Sequence, residues 1–253
     1  MNVKNVVLGC FVLLILIILY YWFFQDDSKV NLFTIKKGDE IATIDGDKAG
    51  FTSEWTWSFW VHVSNYNYNY GKKKNILFRK FNEEAQGVNN AVNHIFLDSY
   101  QSDLVINTRC TKSGSEGSDY IIHPCKIENI PLQRWTHVLI SHRARALDVY
   151  IDGKLVKSCV LPGNFKVPND KNTKVHFCPS DKDINTGDSN AEQGFRGFLG
   201  TVRYYKKAVQ AREAYQIYKE GYSGGNWLSE LFNKYKLKIA FLEDNEEINS
   251  FLL

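Results

Sequence analysis

Nineteen consecutive residues, Val6 to Phe24 (VVLGCFVLLILIILYYWFF), carry no charge and no proline. As a helix rising about 1.5 Å per residue they would extend roughly 28 Å, the thickness of a bilayer's hydrocarbon core. Tyr20, Tyr21 and Trp22 lie at the end of the run, where an aromatic belt belongs. A cleaved signal peptide is the alternative, but the run exceeds an ordinary signal core and no small-x-small cleavage site follows it. The positive-inside rule compares Lys4 and the amino terminus with Asp26 and Asp27. It predicts a single-pass signal anchor over 6–24, with residues 1–5 in the cytoplasm and the C-terminal domain across the membrane. The lipid bilayer is then a partner through 6–24.

After the anchor the chain is polar, aromatic and rich in strand signals. Trp55, Trp57, Phe59, Val61 and Val63 alternate with Glu54, Thr56, Ser58, His62 and Ser64, the period of a half-buried strand. Trp60 breaks the polar face, so part of that face needs a cover. Asn75–Phe81, His94–Ile106 and Trp135–His142 read as further strands. Leu147, Val149 and Ile151 lead into Asp152-Gly153 and LVKSCV, a hairpin with a type I′ turn. A two-residue loop predicts Val149 opposite Val156 and Asp148 opposite Lys157. Ala211, Ala214, Tyr215 and Tyr218 have helical spacing, and Gly221 is placed to end that helix. Leu228, Leu231, Phe232 and Tyr235 repeat the spacing, and Leu237, Ile239 and Phe241 alternate as a short strand. The acidic run Glu243, Asp244, Glu246 and Glu247 reads as solvated. Residues 25–49 form a linker with the first strands, and residues 222–253 an extension.

Five motifs occur in a telling order: Trp-Ser-Phe-Trp-Val (57–61), Pro-Leu-x-x-Trp-Thr-His-Val (131–138), Val-Tyr-Ile-Asp-Gly-Lys-Leu-Val (149–156), Gly-Phe-Leu-Gly-Thr-Val-Arg-Tyr-Tyr (197–205), and the short helix ending near Gly221. Together they resemble the laminin-G-like, or concanavalin A-like lectin/glucanase, superfamily over residues 50–221. The resemblance implies a mainly β, two-sheet antiparallel jelly-roll sandwich, here with an N-terminal transmembrane helix and a short C-terminal helix-strand extension. The stretch at 65–70 departs from the family as an insertion. The family holds glycan binders, calcium-dependent modules, hydrolases and scaffolds, so fold leaves function open.

The balance of 31 basic and 28 acidic residues excludes the clustered basic excess of a nucleic-acid binder. Retaining hydrolysis needs two carboxylates about 5 Å apart. The glucanase branch supplies them as Glu-x-Asp-x-x-Glu on one strand, and this chain has no such motif. Its six histidines show no zinc spacing, and no Gly-x-Ser-x-Gly elbow or phosphate loop is present. His137 fits the family's structural Trp-x-His position. The expectation is a non-enzyme without cofactor. Tyr66, Tyr68 and Tyr70 alternate with Asn65, Asn67 and Asn69; on an extended strand the three rings would share one face as a ligand platform, against the plainer reading of a polar loop. Lys72, Lys73 and Lys74 read as the cap of an exposed loop. For calcium, Asp181, Asp183 and Asp188, with the 45–47 loop, supply oxygens, but the spacing does not match an EF-hand.

Cys10 lies in the anchor. Cys110, Cys125, Cys159 and Cys178 lie beyond it, an even number that allows two disulfides. The expected pairing closes two local loops, Cys110–Cys125 and Cys159–Cys178; four buried thiols are the alternative. No Asn-x-Ser/Thr acceptor occurs in this Asn-rich chain. One anchor, one lectin-like domain, no catalytic pair and no acceptor resemble in make-up the minor capsid or membrane proteins of large double-stranded DNA viruses. The leading expectation is therefore a structural protein docking to other capsid or membrane proteins, as a virion link between membrane and shell. A glycan-binding lectin is the alternative, and a glycoside hydrolase the third.

Overall fold

The computed structural model describes residues 11–19, 28–82, 90–112, 120–168, 173–180, 182–184 and 194–222, and the backbone alone of 238–243 and 246–252. Residues 11–19 form a helix, α1, whose large apolar side chains are all exposed. Among the described residues no helix is long and apolar enough to cross a membrane; the rest of the 6–24 span lies outside them.

Two six-stranded antiparallel sheets follow. Sheet A runs β1 (Lys29–Lys37), β12 (Arg196–Tyr205), β3 (Trp55–Asn65), β8 (Trp135–Arg143), β9 (Ala146–Ile151) and β10 (Lys154–Val160). Sheet B runs β2 (Ala42–Asp45), β11 (Lys174–Phe177), β4 (Lys74–Lys80), β5 (Ala91–Leu97), β6 (Leu104–Thr111) and β7 (Tyr120–Ile127). The predicted alternation of β3 holds: Trp55, Trp57, Phe59, Val61 and Val63 all face the core between the sheets. Fully burying a large apolar side chain contributes roughly 1.5–3 kcal/mol, so this one strand commits the sandwich to its inner face. The expected strand at 94–106 is two, β5 and β6, joined by a turn at 98–103.

The helix α2 (Ala211–Lys219) ends as predicted, with Gly221 at φ 78° and its N–H bonded to the Tyr218 carbonyl at 3.1 Å. It lies on the outer side of sheet A, where Val209, Ala214 and Ile217 pack on Leu139, Tyr150 and Tyr205. The second expected helix lies outside the described residues. The strand expected at 237–241 is β13 (Lys238–Glu243), paired with β14 (Glu246–Leu252), with Glu243 opposite Glu246; Asp244 lies outside the described residues.

Two expectations are corrected. The Asp152-Gly153 turn forms with both residues at positive φ (49° and 74°), as type I′ requires. Beyond it a bulge at Val156 shifts the register, so that Val149 faces Lys157 and Asp148 faces Ser158. The bulge turns Lys157 and Cys159 toward sheet B: the Lys157 ammonium donates to the Lys126 carbonyl at 2.8 Å, and Cys159 bonds to Cys125. That disulfide, with Cα atoms 6.0 Å apart, joins the last strand of sheet A to the last strand of sheet B. The expected local pairs cannot form. Cys110 faces Ile121 while Cys125 faces Ile106, an offset of four residues along one strand pair, about 13 Å and beyond disulfide reach. Cys178 follows β11 near the far edge of sheet B. Both Cys110 and Cys178 are buried free thiols.

Candidate functional site

The outward residues of β3, β8 and β12 define a face whose character changes along the strands. Cross-strand pairing sets Thr56 beside Ser141, Ser58 beside Leu139, Trp60 beside His137, and His62 beside Trp135. α2 covers the middle of this face. The cover that Trp60 demanded is Tyr218, stacked on it at 5.6 Å between centroids. Beneath these rings the Ser58 hydroxyl lies 2.9 Å from His137 Nε2. A serine–histidine contact invites a catalytic reading, but the parts do not assemble. Asp152 accepts the backbone N–H of His137 at 2.9 Å, whereas the ring's Nδ1 has no partner among the described residues. Burial, reinforced by Arg203, pushes His137 down to about 3, so the ring is neutral and a poor base. The position matches the structural role the resemblance implied.

Past α2 the face opens. Trp135 reaches over Gly200, where an added Cβ would sit 3.2 Å from the indole. Tyr222 stacks on Trp135 at 4.9 Å and 8°. The Thr201 hydroxyl donates to the Tyr222 carbonyl, fixing that residue as the chain leaves α2. Phe198 lies 6.4 Å from Trp135 and 6.3 Å from His62, and His62 lies 5.6 Å from Trp135. Phe198 and Tyr222 are 41% and 44% exposed, large values for aromatic rings. The result is a half-open aromatic surface with an imidazole at its margin, suited to stacking and apolar contact.

This surface is not the one expected from sequence. Tyr66, Tyr68 and Tyr70 lie in successive turns rather than on a strand, and each ring meets different partners. Asn65 Oδ1 accepts the Asn67 N–H at 2.9 Å, and Asn69 adopts φ 54°, so the asparagines bend the chain. Tyr66 packs against the core and donates its hydroxyl to the Asp98 carbonyl at 2.5 Å. Arg196 lies 5.9 Å from the Tyr68 ring, and Tyr70 meets Tyr100 edge to face. Lys74 is buried, not part of an exposed cap: its ammonium lies 4.2 Å from the Tyr66 ring and donates to the Asn69 and Lys72 carbonyls. Of the calcium candidates, Asp181 and Asp188 lie outside the described residues. Asp183 accepts the Ser180 N–H and hydroxyl, and Asp47 accepts the Lys48 N–H. Among the described residues no cluster of three metal-ligating side chains occurs.

The aromatic surface draws on four separate segments, so no local motif announced it. Its only sequence trace is that His62, Trp135 and Phe198 take outward positions on strands.

Two antiparallel six-stranded sheets packed face to face define a β-sandwich of lectin architecture. The chain belongs to the concanavalin A-like lectin/glucanases superfamily, whose family profile matches residues 36–214. No curated protein sequence matches it. Among solved structures it is similar to the receptor binding domain of botulinum neurotoxin mosaic serotype C/D, at 12% identity and TM-score 0.53 over 77% of this chain and 47% of that one. It is also similar to the binding domain of botulinum neurotoxin DC in complex with rat synaptotagmin II (14%, TM-score 0.48, 74% and 42%) and in complex with SialylT (11%, TM-score 0.47, 76% and 46%). The chain spans about half the length of the neurotoxin domains it matches. The family profile and the first of these likenesses establish the fold.

Proposed function

We propose that the chain is a membrane-anchored, non-enzymatic recognition protein whose sandwich binds glycan on the aromatic surface of Trp135, Phe198, His62 and Tyr222. The observation that carries this reading is the pair of exposed rings, Phe198 and Tyr222, flanking Trp135 at one end of an otherwise covered sheet face. Soluble domains rarely leave such clusters open without use. The anchor supports it: β1 starts at the opposite end of sheet A, because Lys29 pairs with Tyr205 while Phe198 pairs with Lys37. Seven strand steps of about 3.3 Å separate the two ends, so the aromatic surface is held roughly 23 Å beyond the tether point. The exposed apolar side chains of residues 11–19 require lipid or protein around them. The topology is a single pass with a cytoplasmic amino terminus.

Full-length protein in detergent, applied to a glycan array, should select a narrow set of glycans. Trp135→Ala should weaken the selected binding at least tenfold, which is about 1.4 kcal/mol. An array on which nothing binds, or binding indifferent to Trp135→Ala and Phe198→Ala, would remove the reading. A second reading rests on the outer strand β10, where Leu155, Val156 and Val160 are more than half exposed. It is docking to structural proteins, including capsid shell proteins. Crosslinks from Lys154 and Lys157 to one abundant shell protein, with a silent array, would favour it.

A further inference from the structure

Arg79, on β4, is 1% exposed and turned inward between the sheets, against the core residue Tyr204. The register places Asn93 beside it and Thr108 beside Asn93, so a polar row crosses the inner side of sheet B. A buried arginine ordinarily has a carboxylate partner. Among the described residues Arg79 has none. Its Nη2 donates to the Gly50 carbonyl, and the Tyr204 phenol lies against the guanidinium. The Phe51 and Tyr204 rings stand 5.5 and 5.8 Å from the guanidinium carbon. Arginine keeps its proton in proteins. A full positive charge therefore sits in the core with only neutral groups around it.

The donors near this charge are unmatched as well. Arg79 Nε, Asn93 Nδ2 and the indole Nε1 of Trp55 and of Trp57 are buried without a hydrogen-bond partner among the described residues. Trp57 belongs to the same neighbourhood: its ring lies 4.7 Å from Tyr204, the ring that the guanidinium faces. Unmatched donors are rare in a packed core, and several beside one bare cation point to an acceptor that carries negative charge. The acceptors narrow its place. His142 Nδ1 donates to the Ser53 carbonyl at 2.9 Å, so Nε2 carries a lone pair, and Trp55 stacks on this ring at 5.4 Å. That lone pair repels an anion, which belongs on the Arg79–Trp57 side instead. The Thr108 hydroxyl, also unmatched, is placed by the register to take up Asn93 Oδ1, leaving the amide N–H groups for the anion.

We propose that one small monovalent anion of chloride's size binds between the sheets, held by Arg79 Nε, Trp57 Nε1 and Asn93 Nδ2, and supplies the counter-charge of Arg79. One cation calls for one negative charge, and a close-packed interior admits a small ion while refusing sulfate or phosphate. Entry is short. Gly50 and Phe51, which cover the guanidinium, are only partly buried, so the 50–52 loop at the end of the sandwich is the entrance. The site is independent of glycan recognition, since its residues lie on the inner faces of the sheets and the aromatic surface on the outer face of sheet A.

The test is urea unfolding of the full-length protein in detergent at fixed ionic strength, with chloride exchanged for gluconate, which is too large to enter. Chloride should stabilise saturably, lowering the unfolding constant about tenfold at ten times its Kd, and bromide should act alike. Crystals grown in bromide should show one anomalous peak within hydrogen-bond distance of Arg79 Nε and Trp57 Nε1. Trp57→Phe keeps the ring and removes the donor; it should raise the chloride needed about tenfold. Arg79→Met should abolish the chloride effect and stay folded in gluconate. If that variant does not fold, Trp57→Phe and the bromide peak still decide. Stabilisation that never saturates and is stronger with sulfate is the general exclusion effect of salts and would overturn the proposal. So would density at the site without bromide's anomalous signal, which is water, or a chloride response that Trp57→Phe leaves unchanged.

Discussion

The two ends of the outer face of sheet A are built on the same three or four strands, yet they differ in kind. The end near the tether is polar: Thr56 and Ser141 form its floor, and Glu54, Arg143 and Asp148 its rim. The far end is aromatic, with Trp135, Phe198 and Tyr222. α2 separates them. Its apolar side closes on Leu139, Tyr150 and Tyr205, and Tyr218 seals Trp60. One short helix thus divides a single sheet face into two surfaces of different chemistry. A strand's outward positions acquire their role from what packs over them, not from the strand.

The partition itself is the largest target. Leu139 is fully buried beneath α2 and pairs with Ser58 at the midpoint of the face. Leu139→Ala should destabilise the full-length protein by about 2–5 kcal/mol in urea melts. Because both ends share this floor, hydrogen exchange should rise together around Trp135 and around residues 208–211. A rise confined to one end would show that α2 does not hold the two ends in common.

Acid provides a second, smaller perturbation and compares sheet A with sheet B. His137 lies beneath the rings of sheet A. His94 lies between Phe78 and Phe96 on the outer side of sheet B, 2.8 Å from Asn75 Oδ1. Burial, assisted by Arg203 for His137 and by Lys73 for His94, pushes each ring down to about 3 from an ordinary 6.5. Between those values the unfolded chain binds protons that the folded chain refuses. Stability is therefore whole above pH 6.5 and declines as pH falls toward 3. From pH 7 to pH 5 each histidine should remove on the order of 2 kcal/mol. His137→Gln and His94→Gln should each remove about half of the pair's combined decline, and the double variant should remove both shares. An unchanged decline in either variant would place the acid sensitivity elsewhere.

Much of the frame was legible in the sequence, for local reasons. Alternation marked the inner residues of β3, Asp152-Gly153 fixed its turn by positive φ, and Gly221 ended α2. Trp60 even announced its own cover. What failed depended on contacts between distant segments. The Val156 bulge exists because Cys159 reaches Cys125 across the sandwich edge, a pairing invisible to spacing along the chain. The tyrosine alternation at 66–70 obeyed its asparagines, whose local bonds favour turns, rather than its period of two. The aromatic surface and the polar end each gather residues from separate strands, which only the order β12-β3-β8-β9 brings side by side.

The smallest expected effect tests the independence of the two ends. The Thr56 hydroxyl donates to the Lys207 carbonyl at 2.9 Å, and the Val209 N–H donates to Ser141 Oγ at 2.9 Å. These bonds pin the segment that leads into α2 and borders the polar end, and they make no contact with Trp135. Thr56→Val keeps the shape and removes the donor, leaving the Lys207 carbonyl without it, at a cost of about 1–2 kcal/mol. Hydrogen exchange should rise at residues 207–211 while glycan binding stays unchanged, since Tyr222 is held by Thr201 rather than by this segment. If glycan binding fell in parallel with the loosening of that segment, α2 would be a coupling element rather than a partition, and packing at one end would tune recognition at the other.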